Sequence, residues 1–109
     1  MNNLTEKEKQ ALKELVEELK KLYGDNLSRV ILYGSKARGD ATEGSDIDIM
    51  IVLKEIKDKS KELEKVIKLT TKIDFHYETL ISVSLQSEEE YLKKKSPLLL
   101  NVRKEGIVL

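Results

Sequence analysis

The chain has 109 residues, 39% hydrophobic and 37% charged, with 20 basic side chains against 20 acidic ones; this predicts one domain, 1–109, with a single core and a globular rather than disordered surface. A formal net charge of zero argues against a nucleic-acid binder held by a global positive field, and the absence of cysteine excludes disulfides and thiolate metal sites. No apolar run approaches the roughly 18 residues that cross a membrane and no signal-peptide pattern opens the chain, so a cytoplasmic protein is expected.

Thr5 and Glu8 have the spacing of a capping box. Leu12, Leu15, Val16, Leu19, Leu22 and Tyr23 then recur at helical spacing, and Gly24 supplies the stop. Residues 29–33 form a short apolar run closed by glycine, as a buried strand would. Residues 47–53 are β-branched and apolar apart from Asp48, and predict a second strand. From 57 to 78, Leu63, Val66, Ile67, Thr70, Ile73 and Tyr77 mark one face of a long helix. Residues 80–86 alternate apolar and polar, a third strand with one open face. Ser87 and Glu90 make a second capping box, and Ser96-Pro97 opens a last helix that ends at Gly106, leaving 107–109 for an edge strand. The sum is a small α/β (α+β) domain, a mixed sheet of three to four strands flanked by helices.

The chemistry sits in two places. Gly34-Ser35 closes the first strand, where glycine lets the backbone turn sharply and lets a phosphate approach. The amides after it can donate if 35–38 begin a helical turn, and Lys36 and Arg38 are near enough to offset phosphate charge. After ten residues come Asp46 and Asp48, on one face of the second strand and about 6.6 Å of rise apart. Carboxylates so placed converge on one hard cation or two, and magnesium prefers such a site, with waters and phosphate oxygens completing its shell. Ile47, Ile49 and Ile51 face the other way and mount the pair on the core.

Gly34-Ser35, ten residues, then Asp46-x-Asp48 resembles the signature of the polymerase-β-like nucleotidyltransferase superfamily. The chain is similar to its smallest members, the minimal nucleotidyltransferases (MNT). The resemblance implies a mixed-sheet nucleotidyltransferase fold and magnesium-dependent transfer of a nucleoside monophosphate, usually AMP from ATP. Gly34, Ser35, Lys36 and Arg38 would hold the nucleotide, and Asp46 and Asp48 would be the catalytic metal ligands. Many MNT proteins are similar to antitoxins that bind a helical HEPN toxin encoded nearby and adenylylate it on tyrosine. Larger relatives carry an extra helical domain for the acceptor; none is read here, so a partner protein is expected to supply it. Complete members also have a third carboxylate on a later strand. The predicted strand 80–86 offers Ser82 and Ser84 instead, and Asp74 is the candidate only if 73–77, which also alternate, form a strand. The alternative expectation is therefore an MNT-like binding module that neutralises its partner by complex formation.

Other readings fit less well. A haloacid-dehalogenase-type phosphatase wants Asp-x-Asp early in a far larger domain, and an EF-hand would need glycine where Ile51 stands. The 34–40 segment lacks the Gly-Lys-Ser/Thr ending of a P-loop. Arg38-Gly39-Asp40 is a chance tripeptide, and His76 reads as a surface or packing residue. Leu98, Leu99 and Leu100 make three sides of a short helix apolar, which points to a homo-oligomer or partner contact.

Overall fold

The computed structural model describes residues 4–42 and 44–109. Helix α1 spans Glu6–Tyr23 and begins as its sequence requires. Thr5 Oγ1 accepts from the Glu8 amide at 3.2 Å, and Glu8 Oε1 accepts from the Thr5 amide at 2.9 Å. Two amides that no helical carbonyl can reach are thus satisfied. Ala11, Leu12, Leu15 and Leu19 are buried, whereas Leu22 at the end of the stripe stays 45% exposed. A 3-10 turn at Gly24–Asn26 leads into β1, Leu27–Tyr33. This strand starts at Leu27 rather than residue 29 because its ladder continues to the pair Leu27–Leu53, past an irregularity.

A single turn, α2 (Ser35–Arg38), follows β1, and β2 (Ile47–Leu53) comes next. Helix α3 is Lys59–Tyr77, capped by Asp58, whose carboxylate accepts from the Lys61 amide at 3.2 Å. It buries Val66, Thr70 and Ile73 but leaves Ile67 48% exposed. The helix runs through 73–77, so no strand forms there. After β3 (Ile81–Ser87) come α4 (Glu88–Lys93), α5 (Pro97–Glu105) and β4 (Ile107–Val108). Both of the remaining caps form, at Ser87 with Glu90 and at Ser96 before Pro97.

The four strands make one mixed sheet in the order β3-β2-β1-β4, with β2 and β3 parallel and the other pairs antiparallel. The parallel pair needs a crossover, and α3 supplies it. Both faces are covered. Ile47, Ile49, Ile51 and Leu53 join Leu15, Leu19, Val66 and Ile73 in the core under α1 and α3. On the opposite face Ile31, Met50 and Val52 pack with Tyr91 of α4 and Leu99 and Val102 of α5. Burial on both sides is why β2 reads as a continuous apolar run, and why Asp48, its one acid, stands out. Of the three leucines of α5, Leu99 turns inward while Leu98 and Leu100 are 39% and 50% exposed.

Candidate functional site

The end of β1 and the start of β2 lie side by side, with Tyr33 paired to Asp48 across the ladder. Gly34 follows Tyr33 with a φ of +75°, and a Cβ placed on it would overlap the Asp48 Oδ2. Only a residue without a side chain lets the strand end approach the carboxylate this closely. The Gly34 carbonyl accepts from the Ala37 and Arg38 amides at 3.1 and 3.0 Å and so nucleates α2. Those bonds leave the Ser35 and Lys36 amides, beside the half-buried Ser35 hydroxyl, at the open end of the turn. Gly39, in the left-handed region at φ +88°, closes the turn again.

Asp48 is half-buried, on the side of the sheet opposite Ile47 and Ile49, and Asp46, just before β2, is exposed. Burial raises the Asp48 carboxyl above the usual carboxylate range, the charge of Asp46 raises it further, and Arg38 pulls it back. The Tyr33 phenol is raised by burial and then by Asp48. These four groups therefore share one electrostatic field. Arg38 itself is held by two carboxylates, donating from Nε to Asp40 Oδ2 at 3.1 Å and from Nη1 to Glu105 Oε1 at 3.0 Å.

Lys36 departs from the expected arrangement. Its side chain is buried, and its Nζ pairs with Glu8 Oε2 at 3.0 Å, in α1. The lysine ties α2 to the first helix instead of facing the acid pair. The position of the expected third acid is also clear. In the parallel register Ser82 lies beside Asp48 and Ser84 beside Met50. Asp74 sits in α3, where its carboxylate accepts from Thr79 Oγ1 at 2.8 Å and from the Ile81 amide at 3.1 Å. It fastens the turn into β3 and does not join Asp46 and Asp48.

Among the described residues no group of three metal-ligating side chains forms. The pair alone nonetheless suits magnesium. It offers only hard oxygen donors, and burial together with the Asp46 charge makes Asp48 costly to ionise, a cost that a cation would relieve. Tyr33 and Glu105 are the site neighbours that sequence reasoning passed over. Tyr33 read as core because nothing local shows which β2 residue it pairs with. Glu105 reaches Arg38 across 67 positions of sequence, where no periodic signal exists.

A family model described as nucleotidyltransferase domain matches residues 12–107. A candidate protein adenylyltransferase of Methanocaldococcus jannaschii is 42% identical over 103 residues, covering 94% of this chain and 97% of the relative. A solved minimal nucleotidyltransferase superposes with a TM-score of 0.60 at 25% identity, over 92% of this chain and 91% of that one. A solved complex of a tri-AMPylated Shewanella oneidensis HEPN toxin with MNT antitoxin shares the fold, with a TM-score of 0.53 at 19% identity, over 91% of this chain and 69% of that one.

Proposed function

The chain belongs to the nucleotidyltransferase domain family, and from that premise we propose that it transfers AMP from ATP to a hydroxyl of a partner protein, a tyrosine of a HEPN-type toxin, and so acts as an antitoxin. The observation that carries this reading is the close approach of Gly34 to Asp48, which sets the Gly34-Ser35 turn against one member of the acid pair. The 42% identity to a candidate protein adenylyltransferase supports a protein acceptor. The AMPylated HEPN toxin found with an MNT antitoxin of this fold supports a HEPN-type acceptor and the antitoxin role.

Asp46 and Asp48 would hold magnesium, which supplies charge neutralisation at the phosphates. The Ser35 and Lys36 amides and the Ser35 hydroxyl donate to phosphate oxygens, and Arg38 faces the same charge from the α2 end. The acceptor hydroxyl loses its proton to water and its oxygen bonds to the α-phosphorus as the bond from that phosphorus to the α–β bridging oxygen breaks, and pyrophosphate leaves. Positioning and electrostatics supply most of the acceleration in such transfers.

One observation favours a second reading. Ser82 stands beside Asp48 where an acid would help take the acceptor's proton. A chain so equipped binds nucleotide more readily than it turns it over, and neutralises its partner by masking it. The two readings separate in one assay. The chain is incubated with a HEPN-type partner and ATP labelled in the α-phosphate. Label appearing on the partner with wild type but not with Asp46→Asn supports transfer. No label in either case, with complex formation and neutralisation intact in Asp48→Asn, rejects transfer and leaves the binding module.

A further inference from the structure

Among the described residues Arg38 is the cation whose charge reaches Asp48, and it leaves α2 from a single helical turn. A long side chain on so short an element has many rotamers to lose on binding a phosphate. Its partners differ in how firmly they are themselves held. Asp40 lies in the segment between α2 and β2 and is largely exposed. Glu105 is the last residue of α5, and its side chain is only 23% exposed.

The end of α5 is fixed independently of that ion pair. Leu99 and Val102 are buried against the sheet. Arg103 donates to the Tyr91 and Lys94 carbonyls. Gly106 packs so closely that an added Cβ would overlap the Val102 carbonyl oxygen and the Ile31 Cγ2 of β1. Leu32 of β1 then pairs with Ile107. Glu105 thus stands on a frame built from β1, the strand that delivers Gly34. In the Arg38–Glu105 pair the rigid member is the glutamate, so the arginine is the member being placed.

We infer that Glu105 is a positioning residue: it holds the Arg38 guanidinium at the end of α2, the turn that follows Gly34, with the N–H groups not bound to Asp40 and Glu105 left for the nucleotide's phosphates. This rests on the nucleotide reading above for its consequence, but not for the hold itself. The sign of the effect distinguishes it from simple competition. A carboxylate that merely competed with phosphate for Arg38 would weaken nucleotide binding, and removing it would tighten binding. A carboxylate that pre-organises the guanidinium does the opposite, because the ordering cost falls on the bound state once it is gone.

The experiment has two parts, and Glu105→Ala is first checked for a wild-type thermal midpoint within a few degrees. With 15N-labelled protein without nucleotide, the Arg38 Nη resonances, one of three arginine sets, should be resolved in wild type and in Glu105→Gln, which keeps an acceptor. They should average together in Glu105→Ala. Titration with Mg·ATP should then give about tenfold weaker binding for Glu105→Ala, the cost of ordering one long side chain on binding, and near wild-type binding for Glu105→Gln. The double variant with Arg38→Ala should bind no more weakly than Arg38→Ala alone. Unchanged Arg38 resonances in Glu105→Ala, tighter binding by it, or additive losses in the double variant would each overturn the inference. If wild type binds no Mg·ATP, the nucleotide reading fails, and the arginine resonances still decide whether Glu105 holds Arg38.

Discussion

At Gly34 two requirements meet that no other residue satisfies together: a backbone φ of +75°, and no atom where the Asp48 carboxylate already sits. Gly44 isolates the first of these, since its φ is +85° while nothing lies within 4 Å of the Cβ it lacks. Gly44→Ala should therefore cost only backbone strain, about 1 kcal/mol in urea denaturation, and leave nucleotide affinity unchanged. Gly34→Ala adds the collision, so it should destabilise by about 2–3 kcal/mol and displace Asp48, reducing Mg·ATP affinity on the order of 100-fold in calorimetry. Equal effects of the two substitutions would mean that φ alone decides and that the carboxylate contact is incidental. The approach of the Gly34-Ser35 turn to Asp48 was legible in the sequence because the turn ends one strand and the acid opens the next, at short local spacing. The direction of the Lys36 side chain was not legible: proximity in sequence to the turn says nothing about which way a four-carbon side chain leaves it. Here the Glu8 carboxylate, far away in the chain, decides the direction.

That pair governs how α2 is attached to the rest of the molecule. The Glu8 side chain caps α1 by accepting from the Thr5 amide and also receives the Lys36 ammonium, with only 13% and 9% of the two side chains exposed. Removing one buried partner leaves the other charge uncompensated. Lys36→Met should cost about 3 kcal/mol and lower the thermal midpoint by on the order of 10 °C, while Glu8→Gln with Lys36→Met should recover much of that loss. A double variant no more stable than Lys36→Met would show that the lysine acts through packing rather than charge. Helices and strands were read from sequence wherever period and cap agreed, as for α1, β2 and α4. Boundaries moved where a tertiary partner extended an element, as β2 does for the start of β1. The edge of β3 shows a second tertiary device. Its outer amides at Ile81 and Ser87 are taken by the Asp74 and Glu90 carboxylates. Lys59 of α3 pairs with Glu90 of α4 around the same edge at 3.4 Å. Capping and ion pairing blunt an edge that has no charge or proline of its own, and only the assembled sheet reveals which strand is the edge.

Taken as a whole, the molecule carries a balanced charge, but the site is locally acidic: Asp40 and Glu105 bind Arg38, Asp46 and Asp48 repel each other nearby, and Lys36 is occupied elsewhere. A triphosphate without metal meets net repulsion there, so nucleotide and cation should stabilise the fold only together. At about 100 times its dissociation constant, Mg·ATP should add about 2.7 kcal/mol, on the order of 10 °C in thermal midpoint, and ATP with EDTA should add almost nothing. Asp48→Asn exposes the opposing cost. Burial and Asp46 raise the Asp48 carboxyl in the folded protein, so its contribution to stability is full below the unfolded carboxylate pKa and is lost as pH rises through the raised value. At neutral pH without ligand, Asp48→Asn should therefore melt above wild type, and the difference should close as pH falls toward 4. With Mg·ATP the order should reverse, because the variant forfeits the ligand's stabilisation. A variant that melts below wild type at neutral pH in both conditions would place Asp48 among the residues that hold the fold. The reversal would identify it as a group kept at the expense of stability for what it binds.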